Sequence, residues 1–292
     1  MEAAFYEKLI NHTVRCGLCP HHCTIAAGHS GRCRTRYNQD GTLLASNYGQ
    51  CTSLALDPIE KKPLYHFHRG QPILSLGSWG CNLACAFCQN WEISQASPSY
   101  EELTPQRVAQ LASQLKDRHN IGVAYTYNEP GLWYEFIRDT APLIHAAGLA
   151  NVMVTNGFIE AEPLQQLLPL IDAWNIDLKS FSQDYYQRLC QGARDPVMAT
   201  IRTAAASTHV EVTTLIVTGE NDEPAEIEEL AAWLASLDRH VPLHLSRYFP
   251  RYHMTAPPTP AGTLRRCAEA ARKHLDHVYV GNISAEELQE GT

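Results

Sequence analysis

No apolar run in this chain approaches the roughly 18 residues that would suggest a membrane span, and no low-complexity tract interrupts it. Hydrophobic residues make up 45% and charged residues 18%, as in an ordinary globular protein, so no membrane partner is expected. Basic residues are short as well. Lys and Arg number 23 against 31 Asp and Glu, and the net charge of -8 disfavours an extended phosphate-binding surface, so no nucleic-acid partner is expected. The first residues, MEAAFYEKLINHTVRC, lack the basic-then-apolar pattern of an export signal, which points to a cytoplasmic protein.

Against these absences stand ten cysteines. Without an export signal they argue against disulfides and for metal binding or redox chemistry. Seven fall into two tight groups, Cys16, Cys19, Cys23 and Cys33, then Cys81, Cys85 and Cys88. Cys190 and Cys267 lie in helical patterns and read as small buried hydrophobes. Cys51 is the one lone cysteine close enough in sequence to complete the triplet.

At 292 residues the length suits one α/β barrel with a modest appendage. Residues 1–70 are Cys-, His- and Gly-rich at first, then suggest short strands and turns, and form a small N-terminal metal-binding domain in this reading. Residues 71–292 alternate short apolar runs with helical patterns, which predicts βα repetition and a parallel sheet. Strands are predicted over 72–78, 122–127, 150–155, 173–178, 210–217, 242–247 and 277–281. Helices are predicted near 104–118, 131–147, 161–169, 194–207, 223–237 and 261–275. Thr104-Pro105 has the form of a helix cap, and NDEPAEIEEL places acids where a helix dipole favours them. Eight repeats do not fit this length, so a partial, open barrel of the (β/α)6 type follows, with its chemistry on the loops after the strands.

The stretch GSWGCNLACAFCQN directly follows the first barrel strand. Four thiolates close a zinc or ordinary iron-sulfur site, whereas three leave a metal position open. An all-thiolate triplet favours iron-sulfur over catalytic zinc on grounds of softness. A zinc knuckle, or a ferredoxin-type carrier completed by a distant residue, is the competing interpretation.

Cys-x3-Cys-x2-Cys with Phe87 before the last cysteine, at a barrel strand end, resembles the radical S-adenosylmethionine superfamily. The resemblance implies a 4Fe-4S cluster on Cys81, Cys85 and Cys88, with S-adenosylmethionine on the open iron and Phe87 beside the cofactor. It further implies reductive cleavage of the sulfonium to a 5'-deoxyadenosyl radical that abstracts hydrogen, and a flavodoxin- or ferredoxin-type electron donor.

The other strand ends supply polar groups. Asn128 and Glu129 suit an amino-acid ammonium, and Glu129 corresponds to the acid of the superfamily's Gly-Gly-Glu motif, although Tyr127 and Asn128 replace its glycines. Thr155 and Asn156 are placed to bond the cofactor's ribose or carboxylate, with Gly157 permitting close approach. Alternation puts Asn175, Asp177 and Lys179 on one side of a strand, where a buried Asp and Lys must be paired or used. Asp-x-Lys here is similar to the glycyl-radical activating enzymes, which makes Asp177 a cofactor contact and Asp177 and Lys179 catalytic candidates. His244, aligned with Ser246, is a third catalytic candidate on the substrate side.

Cys16, Cys19, Cys23 and Cys33 form a strong metal signal, for zinc or a second iron-sulfur cluster, with His21, His22 and His29 as alternative ligands. Gly28 and Gly31 suggest a tight knuckle and lean the choice toward structural zinc. Cys-x2-Cys-Pro-x2-Cys, Gly-x2-Gly-x-Cys-x2-Arg, DPIEKKPLYHF, the triplet, YTYNEP and YVGN together resemble the radical enzyme of the AmmeMemoRadiSam system, related to pyruvate formate-lyase activating enzymes. That resemblance implies association with AMMECR-like and Memo-like proteins. Lys61 and Lys62 are candidates to meet an anionic group, although a solvated basic pair is the commoner fate of such residues. The expected function is a radical S-adenosylmethionine enzyme acting on a protein or small molecule. Its alternatives are a glycyl-radical activase and a non-catalytic electron-transfer or zinc scaffold protein.

Overall fold

The computed structural model describes residues 1–284, 286 and 287. The first fifty residues build small antiparallel pieces. Tyr6–Lys8, Val14–Cys16 and Thr24–Ile25 form a three-stranded sheet, and Arg36–Gln39 pairs with Thr42–Ala45. Asp40 and Gly41 turn that hairpin at φ 50° and 87°, the left-handed pair that matches the twist of the flanking strands.

The main sheet has eight strands in sequential order. Strand β1 (Ser53–Pro58) lies antiparallel to β2 (Pro72–Gly77) at one edge. Beyond β2, parallel to it and to one another, follow β3 (Gly122–Tyr125), β4 (Ala150–Thr155), β5 (Ala173–Asp177), β6 (His209–Ile216), β7 (Leu243–Arg247) and β8 (Val278–Gly281). Helices Pro105–Gln114, Tyr134–Ala146, Ala161–Leu167, Arg194–Ala205, Pro224–Leu237 and Ala261–Arg272 occupy the crossovers in turn. Thr104 caps the first of them, accepting from the Arg107 N–H ahead of Pro105. Among the described residues β1 and β8 do not pair, so this α/β fold is a partial TIM barrel, open between its edges. The central strands are buried on both faces, as parallel strands beneath helices must be.

The domain boundary expected at residue 70 shifts toward the N-terminus. Residues 53–58 belong to the sheet, because β1 bonds to β2 along its length. Residues 59–70 plug the barrel bottom: Ile59 and Leu64 pack on Ile73, Ala124, Val152 and Ala173, near the starts of their strands. The cysteine-rich unit therefore occupies roughly the first fifty residues, a length that cannot bury much core of its own. It is fastened to the barrel by a buried ion pair, Arg36 Nη1 to Glu135 Oε1 at 2.7 Å, and by the Ala4 N–H donating to the same oxygen at 2.8 Å.

The strand predicted over 122–127 ends at Tyr125 because Tyr127 takes a left-handed φ of 75° and turns the chain out of the sheet. No helix among the described residues is long and apolar enough to cross a membrane.

Candidate active site

Past β2 the chain turns at Gly80, whose φ of 85° and closeness to the N-terminal unit both require glycine. A Cβ there would lie 2.8 Å from the Cys33 carbonyl oxygen. The cysteine loop that follows is held by its backbone: Ala84 and Ala86 N–H donate to the Cys190 and Leu189 carbonyls at 2.9 Å each, and Gln95 Nε2 donates to the Leu83 carbonyl at 2.8 Å. Cys81, Cys85 and Cys88 thereby line one wall of a cavity of about 340 Å³ at the C-terminal ends of the strands. Burial pushes the Cys81 and Cys88 thiols above their ordinary range. A hydrogen bond with Cys190, then burial, does the same for Cys85. Cys190, read from the sequence as filler, is thus a neighbour of the triplet and ends a π-helical turn at Tyr186–Cys190. Cys51 stays apart, its thiol donating to the Ser53 carbonyl at 3.1 Å.

Opposite the cysteines, Glu129 is buried and accepts three hydrogen bonds: Thr155 Oγ1 at 2.6 Å and Gly131 N–H at 2.8 Å on Oε1, and Asn156 N–H at 2.8 Å on Oε2. Burial raises its pKa despite these donors. A carboxylate has about four lone-pair sites, so Oε2 retains one for a cation in the cavity. Asn156 Nδ2 donates to Asn82 Oδ1 at 2.9 Å and lies 3.5 Å from Cys81 Sγ. Thr155 and Asn156 therefore tie Glu129 to the cysteine loop as well as lining the cavity. Asn128 has a different task from the one expected: Oδ1 accepts from the Ser78 N–H at 2.9 Å and Nδ2 donates to the Gly80 carbonyl at 3.0 Å, bracing the turn before Cys81. Phe87 lines the cavity and rests on Tyr185 with ring centroids 5.8 Å apart.

Asp177, at the end of β5, and Lys179 face the same cavity, with Lys179 Nζ donating to Asp177 Oδ2 at 2.8 Å. Burial alone would lower the lysine's pKa; Asp177 and the Cys85 thiol hold the ammonium well above its usual range. Asn175 shares their side of the strand but sits deeper, donating to the Pro63 carbonyl of the plug at 2.8 Å.

His244 is not part of this site. It is buried below the cavity, where Nε2 meets Glu211 Oε2 at 2.7 Å and the ring packs on Tyr65 and Tyr279. Its alternation partner Ser246, two residues nearer the strand end, is the one that lines the cavity. The Glu211 carboxylate also accepts the Tyr65 and His66 N–H groups, so this cluster anchors the plug.

Two cavity residues, Lys62 and Tyr127, and the Asp57 that joins them went unnoticed as a set in the sequence. Lys62, expected in solvent, is 2% exposed; its Nζ donates to Asp57 Oδ2 at 2.9 Å and sits 4.5 Å from the Tyr127 ring centroid. Tyr127 donates its hydroxyl to the same Asp57 oxygen at 2.6 Å. Burial opposes ionisation of Asp57, but these donors hold its carboxyl well below the usual range. A signal was present: DPIEKKP and YTYNEP each carry one arm of the network.

In the N-terminal unit, Cys16, Cys19, Cys23 and Cys33 surround one small cavity, joined by His21. His21 Nε2 is 2.7 Å from the Asn82 carbonyl oxygen. His22 and His29 turn elsewhere, to Glu160 at 3.0 Å and the Ala27 carbonyl at 3.0 Å. All ten cysteines are free thiols.

Three soft donors and two carboxylates lining one cavity fit a 4Fe-4S cluster carrying a chelating amino acid. The cavity volume suits a nucleoside-sized ligand.

Comparison with known proteins agrees. The sequence model of the radical SAM superfamily matches residues 78–234. An uncharacterized protein of Methanocaldococcus jannaschii, MJ0808, is 44% identical over 294 residues, covering 98% of this chain and 86% of its own. A radical SAM methyltransferase from Sphaerobacter thermophilus has a TM-score of 0.58 at 17% identity, over 75% of this chain and 69% of its own. Streptococcus suis SuiB bound to S-adenosylmethionine gives 0.57 at 13% identity, over 70% of this chain and 48% of its own. At such identities the likeness is one of fold. With a match over more than half its length, opening three residues before the cysteine triplet, the chain belongs to the radical SAM superfamily of enzymes, which work with a 4Fe-4S cluster and S-adenosylmethionine.

Proposed function

We propose that the protein cleaves S-adenosylmethionine reductively at a cluster held by Cys81, Cys85 and Cys88, and abstracts hydrogen from a protein or small-molecule substrate. The observation that carries this is the shared cavity: the three thiols line it together with Glu129, Asp177 and Lys179. A cluster held by Cys81, Cys85 and Cys88 would supply one-electron reductive cleavage of the sulfonium of bound S-adenosylmethionine.

The protein's own residues bind and orient. The free site on Glu129 Oε2 receives the ammonium of the bound amino acid, and its three existing donors fix the carboxylate before the ligand arrives. The Lys179 ammonium, held by Asp177, offers its remaining hydrogens to an anionic group. Phe87 and Leu83 supply apolar walls that keep water from a reactive intermediate. A one-electron donor of the flavodoxin or ferredoxin class completes the balance.

The Asp177-x-Lys179 pair on the cavity wall favours a second, narrower reading, activation of a glycyl-radical enzyme. Association with AMMECR-like and Memo-like proteins rests on the full-length motif resemblance, and co-purification with them tests it.

The direct test is anaerobic reconstitution, addition of S-adenosylmethionine and dithionite, and quantification of 5'-deoxyadenosine by mass spectrometry. Product is expected from the natural chain and not from Cys85→Ala. An intact cluster that neither binds nor cleaves S-adenosylmethionine would instead indicate an electron carrier.

A further inference from the structure

We propose that Lys62 is a substrate-binding residue: its ammonium, at the floor of the cavity, receives an oxyanion of the substrate, a carboxylate or phosphate group, and directs the rest of that molecule toward the cysteine triplet. Its place in the reaction rests on the radical reading above; the anion site does not.

Position comes first. Strand β1 runs antiparallel to β2, so it ends, at Pro58, beside Pro72, where β2 begins. The plug therefore starts at the foot of the sheet, and Ile59 and Leu64 pack near the first residues of the neighbouring strands. From the plug, residues 59–70, the side chains that line the cavity are Lys61 and Lys62. They enter from the end opposite the triplet, which follows the last residue of β2. Tyr127 spans the two ends: its left-handed φ of 75° after β3 sends the hydroxyl back to Asp57, one pairing from the foot of β1, at 2.6 Å.

Charge comes next. Asp57 already accepts three hydrogen bonds, from Lys61 Nζ at 3.2 Å on Oδ1 and from Lys62 Nζ at 2.9 Å and the Tyr127 hydroxyl on Oδ2. One carboxylate thus serves two ammonium groups. Lys61 is 67% exposed, so water answers its charge, but Lys62 is 2% exposed. An ammonium carries three donors, and Lys62 gives one to Asp57 and sits over the Tyr127 ring at 4.5 Å. Among the described residues no further acceptor meets it. Burial lowers its pKa even with Asp57 beside it, which marks a cation whose lost hydration its present partners do not replace. An anion arriving in the cavity would replace it.

The cofactor has its own partners. Glu129 takes the ammonium of the bound amino acid in the reading above, and Lys179 lies ready for an anionic group beside Asp177. Lys62 belongs to a different segment and to a separate pairing with Asp57. A lysine acts as a point charge, without the planar fork with which arginine selects its partner, so carboxylate and phosphate suit it alike.

The test uses the full chain, purified without oxygen and kept oxidised so that no turnover occurs. Malonate and inorganic phosphate are titrated separately by calorimetry at low ionic strength. At least one of them is expected to bind at one site per chain, with a dissociation constant on the order of a millimolar or tighter. Malonate alone points to a carboxylate substrate and phosphate alone to a phosphate ester; either result supports the site. Lys62→Met/Asp57→Asn removes both charges together, so that neither is stranded, and should weaken the anion by about tenfold or more. Lys62→Gln is read in the same way if the double variant does not fold. Lys61→Gln, at the exposed lysine, should stay within about threefold. No binding by the natural chain, or equal affinity in the Lys62 variants, overturns the proposal. Equilibrium dialysis with S-adenosylmethionine gives the other decisive outcome: an equal loss of its affinity in those variants assigns Lys62 to the cofactor and overturns the substrate role. A natural chain that binds the anion through Lys62 but forms no 5'-deoxyadenosine keeps this site and overturns the radical reading instead.

Discussion

Lys179 Nζ lies 2.8 Å from Asp177 Oδ2, two residues apart in sequence and side by side in the lining of the cavity that the three barrel thiols share. Leaving either partner alone there strands a charge in a largely buried place. We predict that Lys179→Ala keeps its iron content and lowers 5'-deoxyadenosine formation by about 30-fold through lost positioning, with partial recovery in Lys179→Arg. Cleavage at the natural rate would mean that the pair is structural.

Glu129→Gln keeps the shape of the buried carboxylate and removes its charge. Because a charge-assisted bond to an ammonium is lost, S-adenosylmethionine should bind about tenfold more weakly, some 1.4 kcal/mol, with the cluster intact. Equilibrium dialysis on the oxidised, cluster-loaded protein measures this, and unchanged affinity would remove Glu129 from the ligand site.

His244 is assigned to the plug, not to catalysis. Replacing it by Ala removes a buried hydrogen bond to Glu211 and two aromatic contacts. The melting temperature should fall by about 5 °C while cleavage stays within about twofold. A loss of cleavage with unchanged melting would restore the catalytic role.

Glu211 makes the fold sensitive to acid. Burial alone would raise its carboxyl, but His209, His244 and the Tyr65 and His66 N–H groups hold it down to about 2, against an ordinary 4.5. A depressed carboxylate stabilises the fold fully above the unfolded value and loses that contribution as pH falls through the folded one. Between pH 4.5 and 2, about 3 kcal/mol should be lost. Urea midpoints across that window should fall steeply for the natural chain. For Glu211→Gln they should start lower at neutral pH and fall less; an equally steep fall would place the acid sensitivity elsewhere.

Breaking the Arg36–Glu135 pair should loosen the N-terminal unit. Both side chains are 1% exposed, so Glu135→Gln leaves a buried guanidinium without its counter-charge, at a cost of about 3–5 kcal/mol. Faster proteolysis within the first fifty residues is the expected sign, and unchanged digestion would show that the unit is held by its other contacts.

How much of this was legible depended on range. The Thr104-Pro105 cap and the βα alternation are local patterns, and the helices and strands follow them closely. The triplet was legible because three cysteines within eight residues need only one loop to bring them together. His244 was misjudged because alternation tells which face of a strand a side chain takes, and not how deep it lies along the barrel. Ser246, on the same face, reaches the cavity, and His244 does not. Lys62 was misjudged because a basic pair in a polar stretch carries no sign that its segment is a plug.

The sequence by itself determined the superfamily, the cysteine triplet at the end of the first barrel strand and the repeating α/β architecture, all of which depend on short spacings and periodic burial. Only the tertiary structure decided that Asn128 braces the cysteine loop, that Asp57, Lys62 and Tyr127 meet, and that Asn82, next to Cys81, lines the N-terminal cysteine cavity. Those relations join segments tens of residues apart, and each exists because the open barrel closes its bottom with residues 59–70 and one flank with the N-terminal unit. No local propensity encodes such a meeting; it is fixed by packing and by the cost of leaving buried polar groups unpaired.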